Sequence, residues 1–372
     1  MISTPVDKQL SGRQYLTPES VLSDSPNQNI FPLTARSNDR DRLEIGGCDV
    51  VTLVDRFGSP LYILDEATIR AACRAYRQAF DRYYDGETQV MYASKAWSTL
   101  AICAIVASEG LGVDVASGGE LYTALQANVA PETIYFHGNN KSAGELQFAI
   151  ETGVTIAVDN WLELETLAEL AAGSANPVRI AIRFTPGIEC HTHEYIRTGH
   201  IDSKFGFDSD RLDAVFEFIA ARSHLHCVGL HAHIGSQIFE RDPHRDLGKV
   251  LVEKWQRATA KGLKLRELNV GGGLGIRYTE ADDPPSIDEW AKAVCEGVTT
   301  ACESAGIALP RLLCEPGRSI VGPAGITVYT LGAEKTIPGI RTYLSIDGGM
   351  SDNPRPALYQ SQYCAIVANC TS

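Results

Sequence analysis

No apolar run in the 372-residue chain approaches the roughly 20 residues a bilayer-spanning helix requires. The first residues lack a basic stretch followed by an apolar core, so no secretion signal is expected. A plastid-type transit peptide would be poorer in acids than this opening segment. There is no Lys/Arg cluster, and the formal net charge is −13, so nucleic acid is not an expected partner. The 10 cysteines form no C-x-x-C pair. That argues against a structural zinc site and against a disulfide framework, and for reduced, mostly buried thiols in a cytoplasm. No glycine-rich turn follows the first strong strand pattern, as an open dinucleotide-binding sheet would have. No internal repeat or low-complexity tract is present.

What remains has the composition of a soluble enzyme, with 44% hydrophobic and 21% charged residues. Residues 1–40 are rich in Ser, Pro, Asn, Asp and Gln and read as a disordered or loosely attached arm. From residue 88 short β-branched runs alternate with amphipathic stretches. Strands are expected at 89–93, 112–115, 133–136, 154–158, 178–184, 227–233, 267–270 and 311–314. Helical patterns lie between them, for example at 100–109, 120–128, 143–151, 161–172, 212–221 and 287–305. Strands separated by helices run parallel, and eight such units imply an α/β fold of the (β/α)8, TIM-like barrel type. Residues 42–64 suggest short strands with a turn at 57–60, and 320–350 are again β-rich. The two flanks are expected to pair into one small β domain.

Barrel active sites form at the C-terminal ends of the strands. Here the first strand ends at Lys95 and the second at Asp114, before Ala116-Ser117-Gly118-Gly119-Glu120. The third ends at His137-Gly138-Asn139-Asn140-Lys141, the fourth at Asp159-Asn160, and the fifth holds Arg183. The sixth carries His231 and His233, then Gly235-Ser236-Gln237. The seventh ends in Gly271-Gly272-Gly273, and the eighth in Glu315-Pro316-Gly317-Arg318. Each end has an ordinary explanation. His231 and His233 share one side of a strand and suit a core or, with acids such as Asp159, a metal. His191 and His193 repeat that spacing in a polar loop. Three glycines suit a tight turn, and Glu315 suits a helix start. As a set they suit pyridoxal chemistry. A lysine amine forms Schiff bases with carbonyls. An imidazole, His233, stacks on a flat ring. Glycine N–H groups, Ser236 and Arg318 suit a phosphate. A carboxylate, Glu315, favours a protonated pyridine nitrogen.

In these stretches the chain resembles the diaminopimelate decarboxylases, of the alanine racemase-like, fold type III pyridoxal phosphate enzymes. The resemblance runs through Tyr92-Ala93-Ser94-Lys95-Ala96, Gly112-Val113-Asp114-Val115-Ala116-Ser117-Gly118-Gly119-Glu120-Leu121 and His137-Gly138-Asn139-Asn140-Lys141-Ser142. It continues through Thr198-Gly199-His200-Ile201-Asp202-Ser203-Lys204-Phe205-Gly206, His231-Ala232-His233-Ile234-Gly235-Ser236-Gln237 and Asn269-Val270-Gly271-Gly272-Gly273-Leu274-Gly275. Glu315-Pro316-Gly317-Arg318, Asp347-Gly348-Gly349-Met350 and Arg355-Pro356-Ala357-Leu358-Tyr359 complete it, so it covers roughly residues 45–372.

The resemblance implies a cofactor-binding barrel over 63–318 and a small β domain from 41–62 and 319–372. It implies decarboxylation of meso-diaminopimelate to L-lysine and carbon dioxide, the last step of lysine biosynthesis. Sister decarboxylases of basic amino acids or carboxylated polyamines, and an inactive cofactor-binding form, are the alternatives. Lys95 takes the role of Schiff-base lysine and His233 that of the stacking residue. Asp114, Ser236, Gly271, Gly272, Gly273 and the run Glu315, Pro316, Gly317 and Arg318 form the cofactor set. Arg318, Arg355 and Tyr359 become substrate contacts, because an arginine fork grips a carboxylate at two points. Asp352 could instead serve an amine. The family also implies a homodimer with a shared active site. The family's Cys-Glu-Ser-Gly-Asp motif, which supplies a proton-returning cysteine and a substrate-contacting acid, and a later tyrosine are not in this chain. Cys364 and Cys370 stand in a different context. A C-terminally truncated form or incomplete gene model is therefore expected, with an incomplete β domain, poor cofactor binding and little turnover.

Overall fold

The computed structural model describes residues 12, 15–16, 23–188 and 203–372. Cys190, His191, His193 and the start of the 198–206 motif lie outside the described residues.

The chain enters through β1 (Arg36–Ser37), β2 (Leu43–Ile45) and β3 (Cys48–Asp49), a three-stranded antiparallel sheet. Next comes α1 (Val50–Phe57), where strand was expected. Its β-branched residues favour strand, but Asp49 accepts from the Thr52 N–H and caps a helix start. Helix α1 packs on the short sheet through Val50 with Leu43 and Ile45. β4 (Leu61–Leu64) then leads into α2 (Glu66–Tyr83).

The barrel follows. Its strands are β5 (Thr88–Ala93), β6 (Gly112–Val115), β7 (Ile134–Phe136), β8 (Thr155–Val158), β9 (Val178–Arg183), β10 (Leu225–His231), β11 (Glu267–Asn269) and β12 (Arg311–Cys314). All eight pair in parallel, and β12 closes on β5 with Leu312 opposite Thr88. Between them run α3 (Leu100–Ser108), α4 (Gly118–Gln126), α5 (Ala143–Thr152), α6 (Trp161–Ala171), α7 (Leu212–Ala220), α8 (Asp242–Ala260) and α9 (Ile287–Ala305). One large core lies between strands and helices. A small inner cluster of Met91, Tyr135, Ala181 and Leu313 fills the barrel.

The helix starts follow one local rule. Ser117, Ser142, Asn160 and Ser286 each accept a backbone N–H three residues on, where a glutamate stands. Those glutamates reach back: Glu120 accepts from the Ala116 N–H, and Glu163 from the Asp159 N–H. Some of the polarity at the strand ends is therefore helix capping. It also fixes the turns that carry the site.

After α10 (Arg318–Val321) the chain returns to the flank. β13 (Gly325–Val328) pairs antiparallel with β4, so the two flanks meet as expected. β14 (Leu331–Ile337) and β15 (Arg341–Ile346) form a hairpin, and α11 (Arg355–Tyr359) follows.

The expected loose arm departs from the sequence reading after residue 22. Asn27 is fully buried, and its amide donates to the carbonyls of Gly275 and Pro285 at 3.1 and 2.9 Å. Ser25 accepts from the Ile287 N–H at the start of α9. Polar side chains in and beside a 3-10 turn, Pro26–Gln28, anchor the segment by hydrogen-bonding backbone of the barrel domain. Composition, which shows only polarity, does not display that.

Candidate active site

Strand β5 stops at Ala93, and a single 3-10 turn, Ser94–Ala96, places Lys95 at the wall of a cavity of about 1140 Å³. The turn is tied down on both sides. Ser94 donates to Glu120 at 2.7 Å, and Tyr92 donates to the Trp97 carbonyl at 3.1 Å. Because β12 neighbours β5, the run after β12 lies alongside: Ala93 N–H donates to the Pro316 carbonyl at 3.0 Å. A Cβ on Gly317 would stand 3.0 Å from that of Ala93, so a side chain there would push on the lysine turn.

Glu315 is the electrostatic centre. Its Oε1 accepts from His137 Nε2 at 2.7 Å and from the Asn269 amide at 2.6 Å. Its Oε2 faces His231 Nε2 at 3.1 Å. Asn269 is oriented by a second bond, since its Oδ1 accepts from the Gly271 N–H at 2.9 Å. Burial works to raise the Glu315 carboxyl, but the two imidazoles draw it the other way and hold it well below the usual carboxylate range. His231 is pushed down to about 4, mainly by burial, so it is neutral near pH 7. Asp114, which lies 3.9 Å from His137 Nε2, goes the opposite way. Burial, helped by the charge of Glu315 and opposed by His137 and Lys95, pushes it up to about 6. Two nearby carboxyls thus have proton affinities driven apart.

Strand β10 ends at His231, so His233 lies just beyond it rather than within the strand. Its Nδ1 accepts from the Gly272 N–H at 3.2 Å, which leaves the ring proton on Nε2. Burial, with Lys95 and Arg183 nearby, lowers its pKa far below the ordinary value. The imidazole facing the cavity is therefore uncharged. The glycines act differently from the simple phosphate cradle expected. The N–H groups of Gly271 and Gly272 are engaged by Asn269 and His233. Gly271 has φ +65° and Gly273 φ +127°, where side chains are strained. A Cβ on Gly272 would lie 2.3 Å from the Glu315 carbonyl oxygen. Gly272 lets the run after β11 approach the run after β12, while Gly271 and Gly273 lie against the run after β10, at Ala232-His233 and Gly235.

Ser236 and Arg318 meet directly. Arg318 Nε and Nη2 donate to Ser236 Oγ at 3.2 and 3.1 Å. Its Nη1 donates to the Tyr278 hydroxyl at 2.7 Å, and Arg355 Nη1 donates to that same oxygen at 2.6 Å. Tyr359 and Asp352 also line the cavity. The Asp352 carboxylate accepts the Gly349 N–H at 2.9 Å.

The structure therefore brings Lys95, His233, Ser236, Gly272, Gly273 and Glu315 to one cavity, with Gly317, Arg318, Arg355 and Tyr359. Asp114, Gly271 and Pro316 do not line it: Asp114 lies beside His137, the Gly271 N–H donates to Asn269, and the Pro316 carbonyl accepts from the Ala93 N–H. Roles for His137, His231, Asn269 and Tyr278 were not anticipated. The two histidines were visible at strand ends, but nothing local shows that they share Glu315. For Tyr278 no sequence signal exists.

The metal alternative through His231, His233 and Asp159 does not form. Among the described residues the one cluster of potential ligand atoms is His137, His231 and Glu315, and these are already hydrogen-bonded to one another. Asp159 instead pairs with Arg183 at 3.7 Å.

A flat pyridine ring bearing a phosphate fits this donor set. Glu315 has three donors in place, and a carboxylate accepts about four. It also lies at the cavity wall, with a lysine amine and an uncharged imidazole at the same wall. Ser236 and Arg318 lie together, a hydroxyl and a guanidinium that suit an anion.

Comparison with known proteins agrees. The family model described as the pyridoxal-dependent decarboxylase, pyridoxal binding domain, matches residues 66–322. The diaminopimelate decarboxylase of Synechocystis sp. is 59% identical over 378 residues, 99% of this chain and 80% of the relative. That of Bacillus subtilis is 44% identical over 90% of this chain and 77% of the relative. The crystal structure of the M. jannaschii diaminopimelate decarboxylase in complex with L-lysine superposes with a TM-score of 0.82 at 32% identity, over 89% of this chain and 77% of that one. A closed parallel barrel, a cavity ringed by an amine, a buried carboxylate and paired arginines, and sequence identity along its whole length agree: this chain belongs to the diaminopimelate decarboxylases among the pyridoxal-dependent decarboxylases.

Proposed function

We propose that this chain decarboxylates meso-diaminopimelate to L-lysine and carbon dioxide, the last step of lysine biosynthesis, with pyridoxal phosphate held at Lys95. One observation carries the substrate class: Arg318 and Arg355 converge on a single hydroxyl in the cavity that holds Lys95. Paired guanidiniums suit a substrate with a carboxylate at its far end, which a diamine precursor such as ornithine lacks. When bound, pyridoxal phosphate supplies the electron sink for the pair released as the carboxylate leaves.

The residues present suggest the protein's own part. Lys95 would hold the cofactor through its amine. Glu315, kept ionised and aimed by His137, His231 and Asn269, would favour a protonated pyridine nitrogen. His233, uncharged, would stack on the ring without repelling that positive charge. Ser236 and Arg318 would hold the phosphate. Arg355 and Tyr359, with Arg318, would bind and orient the substrate. A homodimer that completes the site, and a cytoplasmic location, belong to the same proposal. No described helix is long and apolar enough to cross a membrane.

The test has two readouts. The purified chain with added cofactor should show the long-wavelength absorbance of a lysine-bound pyridoxal, and Lys95→Ala should lose it. Carbon dioxide release should be greatest with meso-diaminopimelate in a panel with ornithine, arginine and carboxylated polyamines. Absorbance that survives in Lys95→Ala overturns the lysine assignment. Absorbance in the wild type without carbon dioxide release from any substrate leaves a cofactor-binding protein and overturns the decarboxylase.

A further inference from the structure

Tyr278 lies in the loop between β11 and α9, with no part in the cofactor set. Its hydroxyl oxygen lies 2.7 Å from Arg318 Nη1 and 2.6 Å from Arg355 Nη1. A guanidinium has donors only, so both bonds land on the oxygen's lone pairs. The hydroxyl hydrogen is used by neither. It belongs to a group polarised by two cations at the wall of the cavity. An anion reaching the two arginines therefore meets a third donor between them.

The side chain is held in that place. The Tyr278 backbone N–H donates to the Asp282 carboxylate at 3.1 Å. The neighbouring Ile276 N–H and carbonyl bond the Gln237 amide at 3.1 and 2.7 Å. The Arg277 N–H donates to the buried Asn27 carbonyl at 2.9 Å. The ring meets Tyr363 edge-on at 5.3 Å, and Arg355 lies 4.8 Å above the ring centre. On their other sides Arg318 is bound to Ser236 and Arg355 to Ser361. The two guanidiniums are thus spaced by the tyrosine, not by each other.

We propose that Tyr278 is a substrate-positioning residue whose hydroxyl, set between Arg318 and Arg355, donates to the carboxylate remote from the reacting carbon. The inference rests on the decarboxylase function above and adds a specificity contact to it. The alternative is a brace that only holds the loop between β11 and α9. A brace serves any ligand equally, whereas a hydroxyl that meets the carboxylate beside the arginines serves only one bearing it.

L-Lysine and cadaverine separate the two, because they differ by that carboxylate alone. Binding of both is measured by equilibrium titration of the cofactor-loaded chain, for wild type, Tyr278→Phe and Tyr278→His. A hydrogen bond to a charged group contributes about 1.5–3 kcal/mol, which is about 10- to 150-fold in affinity. Tyr278→Phe should weaken lysine by that factor and leave cadaverine within about 3-fold, a difference below 1 kcal/mol. Tyr278→His, with a ring N–H that still donates, should recover part of the preference. Tyr278 is only partly buried, so both variants should fold, and retained pyridoxal absorbance checks this. If only one folds, its lysine preference decides: lost in Phe or kept in His supports the donor. Equal weakening of both ligands, or unchanged or tighter lysine binding in Tyr278→Phe, overturns it. A wild type that neither prefers lysine nor releases carbon dioxide from meso-diaminopimelate overturns the function itself. A wild type that does both, beside a Tyr278→Phe variant that matches it, overturns only the tyrosine's role.

Discussion

Replacing Lys141 by methionine removes the cation of a buried ion pair and tests how the site's floor is held. Lys141 Nζ lies 2.8 Å from Glu163 Oε1, with the two side chains 2% and 3% exposed. The same ammonium donates to the carbonyls of Gly138 and Ala157 at 2.6 and 3.0 Å. It therefore clamps the turn that carries His137, one of the two imidazoles on Glu315. At that separation and an effective dielectric of about 20 the attraction is roughly 6 kcal/mol gross, offset by desolvation of both ions. Removing one partner leaves a carboxylate stranded, at a net cost of about 3–5 kcal/mol. Burial already raises the Glu163 carboxyl despite Lys141 beside it. Without the lysine it rises further, so the folded chain binds a proton that the unfolded chain does not. Stability lost in Lys141→Met is then partly regained as pH falls. The double variant Lys141→Met/Glu163→Gln removes the charge and keeps an acceptor for the Asp159 N–H, so it should recover most of the loss. Equilibrium urea unfolding at about pH 8 and about pH 6 reads all of this. A loss under about 1 kcal/mol, as for a surface pair, refutes the reasoning. So does a double variant no more stable than the single.

Gly272→Ala should weaken cofactor binding and lower the melting temperature, because its Cβ would stand 2.3 Å from the backbone oxygen of Glu315, which has no rotamer by which to move. Overpacking of this kind costs about 1–3 kcal/mol, and normal cofactor affinity with an unchanged melting temperature would contradict it. The pH dependence of stability should carry the mark of histidines buried neutral. Burial pushes His231 down to about 4 and His244 to about 3. Below about pH 6.5 the unfolded chain takes up protons that these folded histidines refuse, so stability falls as pH drops from there toward about 4. His244 touches Trp290 and lies outside the cavity, so His244→Met should reduce that slope by up to about 1.4 kcal/mol per pH unit. An unchanged slope would show that His244 titrates normally when folded.

Much of the site was legible because its signals are local. Strand–helix alternation gave the parallel barrel, and parallel barrels present their strand ends on one side, so Lys95, His233 and Glu315 could be grouped from sequence. The Ser-x-x-Glu spacings give the helix starts in the same way. Where local signals compete, the sequence misleads: Val50–Phe57 has strand-like residues, yet a cap at Asp49 and apolar contacts make it a helix. Likewise, the polar arm before residue 40 is anchored by Asn27 through backbone carbonyls more than 240 residues away, as the separations of 248 and 258 show.

The amino-acid sequence alone therefore determined the barrel and placed Lys95 at a strand end among these residue types, since periodicity, capping and strand-end chemistry act over a few residues. Only the tertiary structure decided how those groups work. Glu315 owes its charge to imidazoles from residues 137 and 231 and an amide from 269, and the arginines 318 and 355 owe their spacing to Tyr278. Protonation and orientation depend on burial and on partners brought together by folding, and neither is written in the spacing of residues along a chain.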